Sequence, residues 1–319
     1  MLRLFKILAD STRLRLLRVL RQGDFTVQDL MQILDMGQSR ISRHLKLMTD
    51  AGLLQVEKQG TWHYYRLSLE EALFKDLWCS IEPRLVELKN QEQDAFGLVQ
   101  VMSDRRKRNQ DFFNRHAPEW DNLHVELLNL PDYQERLLDL VPSGGLIVEV
   151  GAGTGSLLPL LAMKGEQILA LDHSPAMIKL AREVVTQQQL AAKVEVRLAE
   201  MNHLPCSHGS VRTVVMNQVL HHAEQPVEVF REIARVLEPD GSLVVADLTR
   251  HGHDWARDRL ADQWLGFKRQ ELEIWLDETG LSMSVCQEVD VLSGQQSVFL
   301  LKAVNHKHSP ESRIQENSN

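Results

Sequence analysis

Cysteine is scarce in this chain. The 319 residues hold three, Cys79, Cys206 and Cys286, far apart and without a C-x-x-C spacing. That excludes a disulfide framework and a zinc finger, and it fits a reducing compartment. Long apolar runs are missing as well. No stretch reaches the length of a membrane span, and the first residues lack the charged, apolar, then small-residue pattern of a signal peptide. A cytoplasmic location is the expectation. An even spread of charge is also lacking. The net charge is −8, yet residues 1–70 carry 11 Lys+Arg against 7 Asp+Glu, a balance of +4 that leaves −12 for the rest. A basic head on an acidic body predicts that only the head meets a polyanion. The length suffices for two domains, each with its own core.

What is present centres on one stretch. Leu146-Ile147-Val148-Glu149-Val150 reads as a buried strand, and Gly151-Ala152-Gly153-Thr154-Gly155 follows at once. A helix is expected directly after, through Ser156, Leu157, Leu158, Leu160 and Leu161. Glycines at such a corner let the backbone turn tightly and let a ligand approach bare N–H groups. The spacing is G-x-G-x-G, with Ser156 where the dinucleotide fingerprint wants its third glycine. Asp172 ends a second apolar run, Ile168 to Leu171, and so brings a carboxylate within reach of ribose hydroxyls. Glycine turns of this kind also serve nicotinamide sites and unrelated α/β domains. Further strands are expected over 194–199, 211–215, 242–246, 282–289 and 297–303, with helices between them. That alternation predicts a doubly wound α/β sheet with its ligand at the switch point.

The loop Glu149-x-Gly151-x-Gly153-x-Gly155 with Asp172 resembles that of class I methyltransferases that bind S-adenosylmethionine. Val219-Leu220-His221-His222, followed by Arg235-Val236-Leu237-x-Pro239-x-Gly241, is similar to the same family. The resemblance implies a Rossmann-like seven-stranded domain holding S-adenosylmethionine or S-adenosylhomocysteine. It also implies cofactor residues: Glu149, Gly151, Gly153, Gly155, Asp172, His173, Met177, Glu200, Met201 and Asn217. Met177 would pack on adenine, although it reads equally well as core. Glu200 would lie near the exocyclic amine and Asn217 beside the sulfonium. Methyl transfer from a sulfonium needs a nucleophile held in line, so a general base is optional. His221 and His222 are the candidates for one, or they only shape the pocket. His251-x-His253 lacks a third ligand placed by sequence, so no metal is expected; its loop reads as part of a lid.

The head has a different pattern. Leu4, Ile7, Leu8, Leu14, Leu17 and Leu20 recur at helical spacing around a cap at Asp10-Ser11-Thr12. After a helix with Val27, Leu30, Met31, Ile33 and Leu34, Asp35-Met36-Gly37 turns the chain. In the next helix Ile41, Leu45 and Met48 face a core at i, i+4, i+7. Gln38, Ser39, Arg40, Ser42, Arg43 and Lys46 are left for the opposite face, where they could reach bases and phosphates or form an ordinary solvated surface. Two β-prone runs around Gln59-Gly60-Thr61 then read as a hairpin carrying Lys58 and Arg66. Asp10-x-x-Arg13-Leu14, Ser42-Arg43-His44-Leu45, Ala51-Gly52-Leu53 and Tyr65-Arg66-Leu67 together resemble the winged helix-turn-helix of the ArsR/SmtB repressors. The resemblance implies a dimer on palindromic double-stranded operator DNA, with the helix 69–88 suited to the dimer contact. The cysteine pair of that family's arsenic sensors and the histidines of its zinc sensors have no counterpart here, so the trigger is expected from the attached domain.

The expected divisions are 1–90 for the DNA-binding and dimerisation domain, 91–122 for a helical linker, 123–304 for the methyltransferase-like domain and 305–319 for a disordered tail. Arg105-Arg106-Lys107-Arg108 in the linker reads either as a solvated helix or as a phosphate contact. Phe113 and Trp120 either pack or cover the cofactor. The pairing of domains resembles S-adenosylhomocysteine-responsive regulators of the methionine cycle. The alternative is an active small-molecule methyltransferase with its own DNA-binding head. An arsenite methyltransferase fits it poorly, because the three cysteines do not form that group's thiol constellation.

Overall fold

The computed structural model describes residues 2–59, 62–68, 72–289 and 296–306. The expected hairpin tip at Gly60-Thr61, the start of the helix expected from Leu69, and nearly all of the expected disordered tail lie outside them. The chain forms two compact units, Met1–Arg108 and Asn109–Asn319.

The first unit runs α1 (Leu2–Leu8), α2 (Ser11–Leu20), β1 (Phe25–Thr26), α3 (Val27–Leu34), α4 (Gln38–Thr49), β2 (Leu54–Gln59), β3 (Trp62–Leu67) and α5 (Ala72–Ile81). Helix α6 (Gln91–His116) begins in this unit and continues past Arg108 into the second. The residues of the 91–122 stretch are therefore helical, and the boundary between units falls inside one helix. Asp10 caps α2 by accepting from the Arg13 N–H at 3.0 Å. The Arg13 guanidinium turns back to the last carbonyls of α1, Ile7 at 2.6 Å and Lys6 at 2.9 Å. One short motif thus satisfies the orphan groups of two helix ends. A reciprocal box between Thr26 and Asp29 opens α3. Ile41, Leu45 and Met48 are fully buried against Leu16, Leu17, Leu30, Phe74 and Trp78. Strand β3 pairs with β1 on one side and β2 on the other, both antiparallel. The helix expected to reach residue 88 ends at Ile81 and passes into a 3-10 turn, Glu82–Glu87, where Pro83 has no N–H to continue it.

The second unit adds α7 (Trp120–Leu128), α8 (Gln134–Leu140), β4 (Leu146–Val150), α9 (Leu158–Lys164), β5 (Gln167–Asp172), α10 (Pro175–Gln187), β6 (Val194–Leu198), β7 (Val211–Asn217), α11 (Pro226–Val236), β8 (Leu237–Leu248), α12 (Trp255–Arg259), α13 (Arg269–Thr279), β9 (Leu281–Glu288) and β10 (Val298–Asn305). Its seven-stranded sheet has the order β6-β5-β4-β7-β8-β10-β9, parallel except for β10, which runs against both neighbours. Alternate residues of each central strand feed opposite cores: Ile147 and Val215 one, Val148 and Val214 the other. The fold is therefore the α/β architecture expected. The strand order reverses between β4 and β7, and a ligand crevice belongs at that point. Helix α9 starts two residues later than expected, because Gly155 first closes a tight turn onto the Ala152 carbonyl at 2.9 Å. Strand β8 is longer than expected. It pairs Leu237 with Val211 and resumes at Ser242 opposite Thr213, looping out residues 238–241, where Asp240 takes a φ of 60°.

Candidate functional site

A cavity of about 480 Å³ opens in the second unit at the carboxyl ends of β4, β5 and β7. Eight of the ten residues expected around the cofactor line it: Glu149, Gly151, Gly153, Asp172, His173, Met177, Met201 and Asn217. The other two do not. Gly155 instead packs on α10, where an added Cβ would meet the Ala181 Cα at 3.0 Å. Glu200 is exposed and bridges to His203, and its neighbour Met201 takes the place on the wall. Phe113 and Trp120, read from sequence either as packing or as a cover, both line the cavity with ring centroids 5.0 Å apart.

The glycines divide the work. Gly151, at φ 72°, is pressed against Val219, whose Cγ2 would lie 2.2 Å from a Cβ. Gly153, at φ 54°, meets nothing within 4 Å on that side, so its backbone is the part of the loop left open to a ligand. Asp172 clamps the two loops together. Its carboxylate accepts from the Gly153 N–H at 2.9 Å and the Ser174 N–H at 2.8 Å. A carboxylate has about four acceptor positions, so capacity remains for ribose hydroxyls.

Glu149 is fully buried, and one of its oxygens accepts no hydrogen bond among the described residues. Burial, with the Asp172 charge adding to it, pushes its carboxyl up to about 8. Burial pulls His173 down, but the hydrogen bond and charge of Asp172 outweigh that and leave it raised.

Tyr133 lines the site without having carried a sequence signal. Tyr133 donates its hydroxyl to Asn217 Oδ1 at 2.8 Å, and burial holds its pKa well above the usual range. Thr154 donates to Asp121 at 2.9 Å across the rim. Gln218 lines the wall with a φ of 52°, a left-handed turn a non-glycine residue seldom takes. His221 and His222 sit side by side with ring centroids 4.1 Å apart, and only His222 reaches the cavity. The His221 Nδ1–H donates to Asp247 Oδ1 at 2.7 Å. Burial lowers His221, but the charges of Asp247 and Asp262 more than compensate and raise it to about 9.

In the first unit Gln38, Ser39, Arg40, Arg43 and Lys46 are exposed along α4, and Ser42 is half-buried. Arg40 also donates to Thr12 Oγ1 at 3.0 Å. Lys58 is exposed on β2. Arg66 has a different environment: its guanidinium makes a bidentate pair with Asp24, at 2.7 and 2.8 Å, inside the head. Its sequence gives no warning of that, since the partner lies forty-two positions away.

The profile of the bacterial regulatory protein arsR family matches residues 10–56. The arsenical resistance operon repressor of Bacillus subtilis is 44% identical over 79 residues, which are 24% of this chain and 75% of that one. The chain belongs to the arsR family. Its second unit is a class I methyltransferase domain, and a methyltransferase-domain profile matches residues 148–245 of this arsR-family protein. A ubiquinone biosynthesis O-methyltransferase of Xanthomonas oryzae is 32% identical over 120 residues, 37% of this chain and 48% of that one. An arsenite methyltransferase of Halobacterium salinarum is 34% identical over 110 residues, 34% of this chain and 28% of that one. The chain thus spans about half the length, or less, of the methyltransferases it matches. A chain from a Haloferax volcanii complex of a methyltransferase with its activator shares the fold at a TM-score of 0.50 and 19% identity, over 60% of this arsR-family chain and 97% of its own length. No helix among the described residues is long and apolar enough to cross a membrane.

Proposed function

We propose that this arsR-family protein is a DNA-binding transcriptional repressor whose methyltransferase domain reads S-adenosylmethionine or S-adenosylhomocysteine as its signal. The genes it controls would be those of the methionine and S-adenosylmethionine cycle, and the heads would act as a homodimer. Helix α6 is the observation that carries this reading. In the first unit Arg105, on α6, donates to Asp29 in the cap of α3 at 2.8 Å and to the Asp24 carbonyl at 3.1 Å. In the second unit the last turns of the same helix hold the loop that follows β5. Gln110 donates to the His173 carbonyl at 2.6 Å, Asn114 accepts from Ser174 Oγ at 2.7 Å, and Phe113 lines the cavity. One continuous helix therefore has side chains on the residues after Asp172 and on the helix that precedes α4. A ligand shifts the equilibrium between operator-competent and incompetent forms by its difference in affinity for the two.

Calorimetric titration of both adenosyl ligands, with and without the DNA upstream of the protein's own gene, tests this. Linkage requires the affinity for one ligand to change when DNA is bound, by about 5- to 150-fold for ordinary coupling energies. Equal affinities in both conditions would end the sensing reading. A catalytic reading is favoured by His222, whose ring lies on the cavity wall beside Phe113 at 4.9 Å, and by the named activities of the two methyltransferase relatives. It requires release of S-adenosylhomocysteine from S-adenosylmethionine in the presence of an acceptor.

A further inference from the structure

Behind the cavity wall, His221, His222 and Asp262 bring one donor atom each within 4.8 Å of one another, and all three side chains are buried. The Asp262 side chain is inaccessible to solvent, and neither of its carboxylate oxygens accepts a hydrogen bond from any described residue. Nearby Asp247, equally buried, is satisfied. It accepts from the backbone N–H groups of Leu220 at 2.8 Å and Leu248 at 2.7 Å besides the His221 ring. Burying a carboxylate without hydrogen bonds costs several kcal/mol, so native structures rarely leave one in that state.

The spacing indicates what satisfies it. Asp262 Oδ1 stands 3.6 Å from His221 Nε2 and 3.8 Å from His222 Nδ1, beyond hydrogen-bond range in both cases. Donors bound to one cation at about 2.0–2.2 Å stand roughly 3.4 Å apart in a tetrahedral shell. Asp247 completes the arrangement. By accepting the Nδ1–H of His221 it fixes the ring so that a cation displacing the other ring proton would take Nε2, the atom facing Asp262, as with a carboxylate behind a ligating histidine.

We propose that His221, His222 and Asp262 bind a divalent first-row transition cation of the zinc, cobalt or ferrous type. Two imidazoles and a single carboxylate select against magnesium and calcium, which take oxygen shells. Three protein ligands leave a coordination position open, and His222 belongs both to this cluster and to the adenosyl cavity. Nothing in this depends on whether the protein is a sensor or an enzyme.

The test uses the full-length protein, stripped with chelator and titrated with cobalt(II) chloride without any adenosyl ligand. Visible d–d absorption and calorimetry report binding. The expected result is saturation at one equivalent, displacement by zinc, and a rise in Tm. Asp262→Asn abolishes all three while retaining the wild-type circular dichroism spectrum. Should that variant fail to fold, His221→Gln takes its place, and the wild-type spectrum stands as a test alone. Wild-type protein that takes up no stoichiometric cobalt would overturn the proposal, leaving an imidazolium held between two aspartates. Undiminished cobalt binding by a folded Asp262→Asn variant would overturn it equally.

Discussion

The two units treat buried acids in opposite ways. In the head the two buried carboxylates among the described residues each have an arginine: Asp24 with Arg66 and Asp94 with Arg15. In the methyltransferase domain Asp172 and Asp247 are held by backbone N–H groups, while Glu149 and Asp262 have oxygens that accept nothing among the described residues. The contrast separates framework from function. Arginine pairs that close on themselves fix a shape and leave other cations, Arg43 and Lys46 among them, exposed on α4. Acids left with unfilled acceptor positions, Glu149 on the cavity wall and Asp262 behind it, keep their capacity for something that arrives later.

The largest effect should come from removing an uncompensated acid. Glu149 ionises near 4.5 when unfolded and near 8 when folded. Its contribution to stability is therefore complete below pH 4.5 and is lost as pH rises through 8. Glu149→Gln should raise the Tm of the ligand-free protein at pH 8.5, by up to about 4 kcal/mol in stability, with the two proteins converging near pH 4.5. Parallel Tm curves across that range would remove the assignment. In the head the sign reverses. Asp24→Ala leaves Arg66 without its carboxylate partner and should cost about 3 kcal/mol, read by urea unfolding. A loss below about 0.5 kcal/mol would mean the pair is not part of the framework. The smallest effect is the most informative about function. Arg43→Ala should leave Tm unchanged yet weaken operator binding about tenfold or more in a gel-shift titration, whereas Arg66→Ala should lower Tm. Unchanged operator affinity in Arg43→Ala would take α4 out of the interface.

This contrast also marks what could be read in advance. Local features were legible: the i, i+4, i+7 burial of Ile41, Leu45 and Met48, the glycine corner, and Asp172 at a strand tip. Each depends on neighbours within a few residues. What escaped depends on distant partners. Arg66 looks like Lys58 in sequence, and only Asp24, brought alongside by the β1–β3 pairing, separates their roles. Asp247, Asp262 and Tyr133 belong to no short motif, since each acquires its environment from loops 26 to 84 positions away. Glu200 lies off the wall for a smaller reason. At the end of β6 a shift of one residue exchanges wall for solvent, and Met201 faces inward instead.

The hydrogen bond from Thr154 to Asp121 bears on time rather than affinity. It crosses the rim of the cavity and is exposed to water, so its net strength is about 1 kcal/mol. A latch of that size slows escape of a bound molecule by no more than roughly tenfold. A repressor governed by such a gate would follow its metabolite down as promptly as up, and its memory of a past concentration would be short.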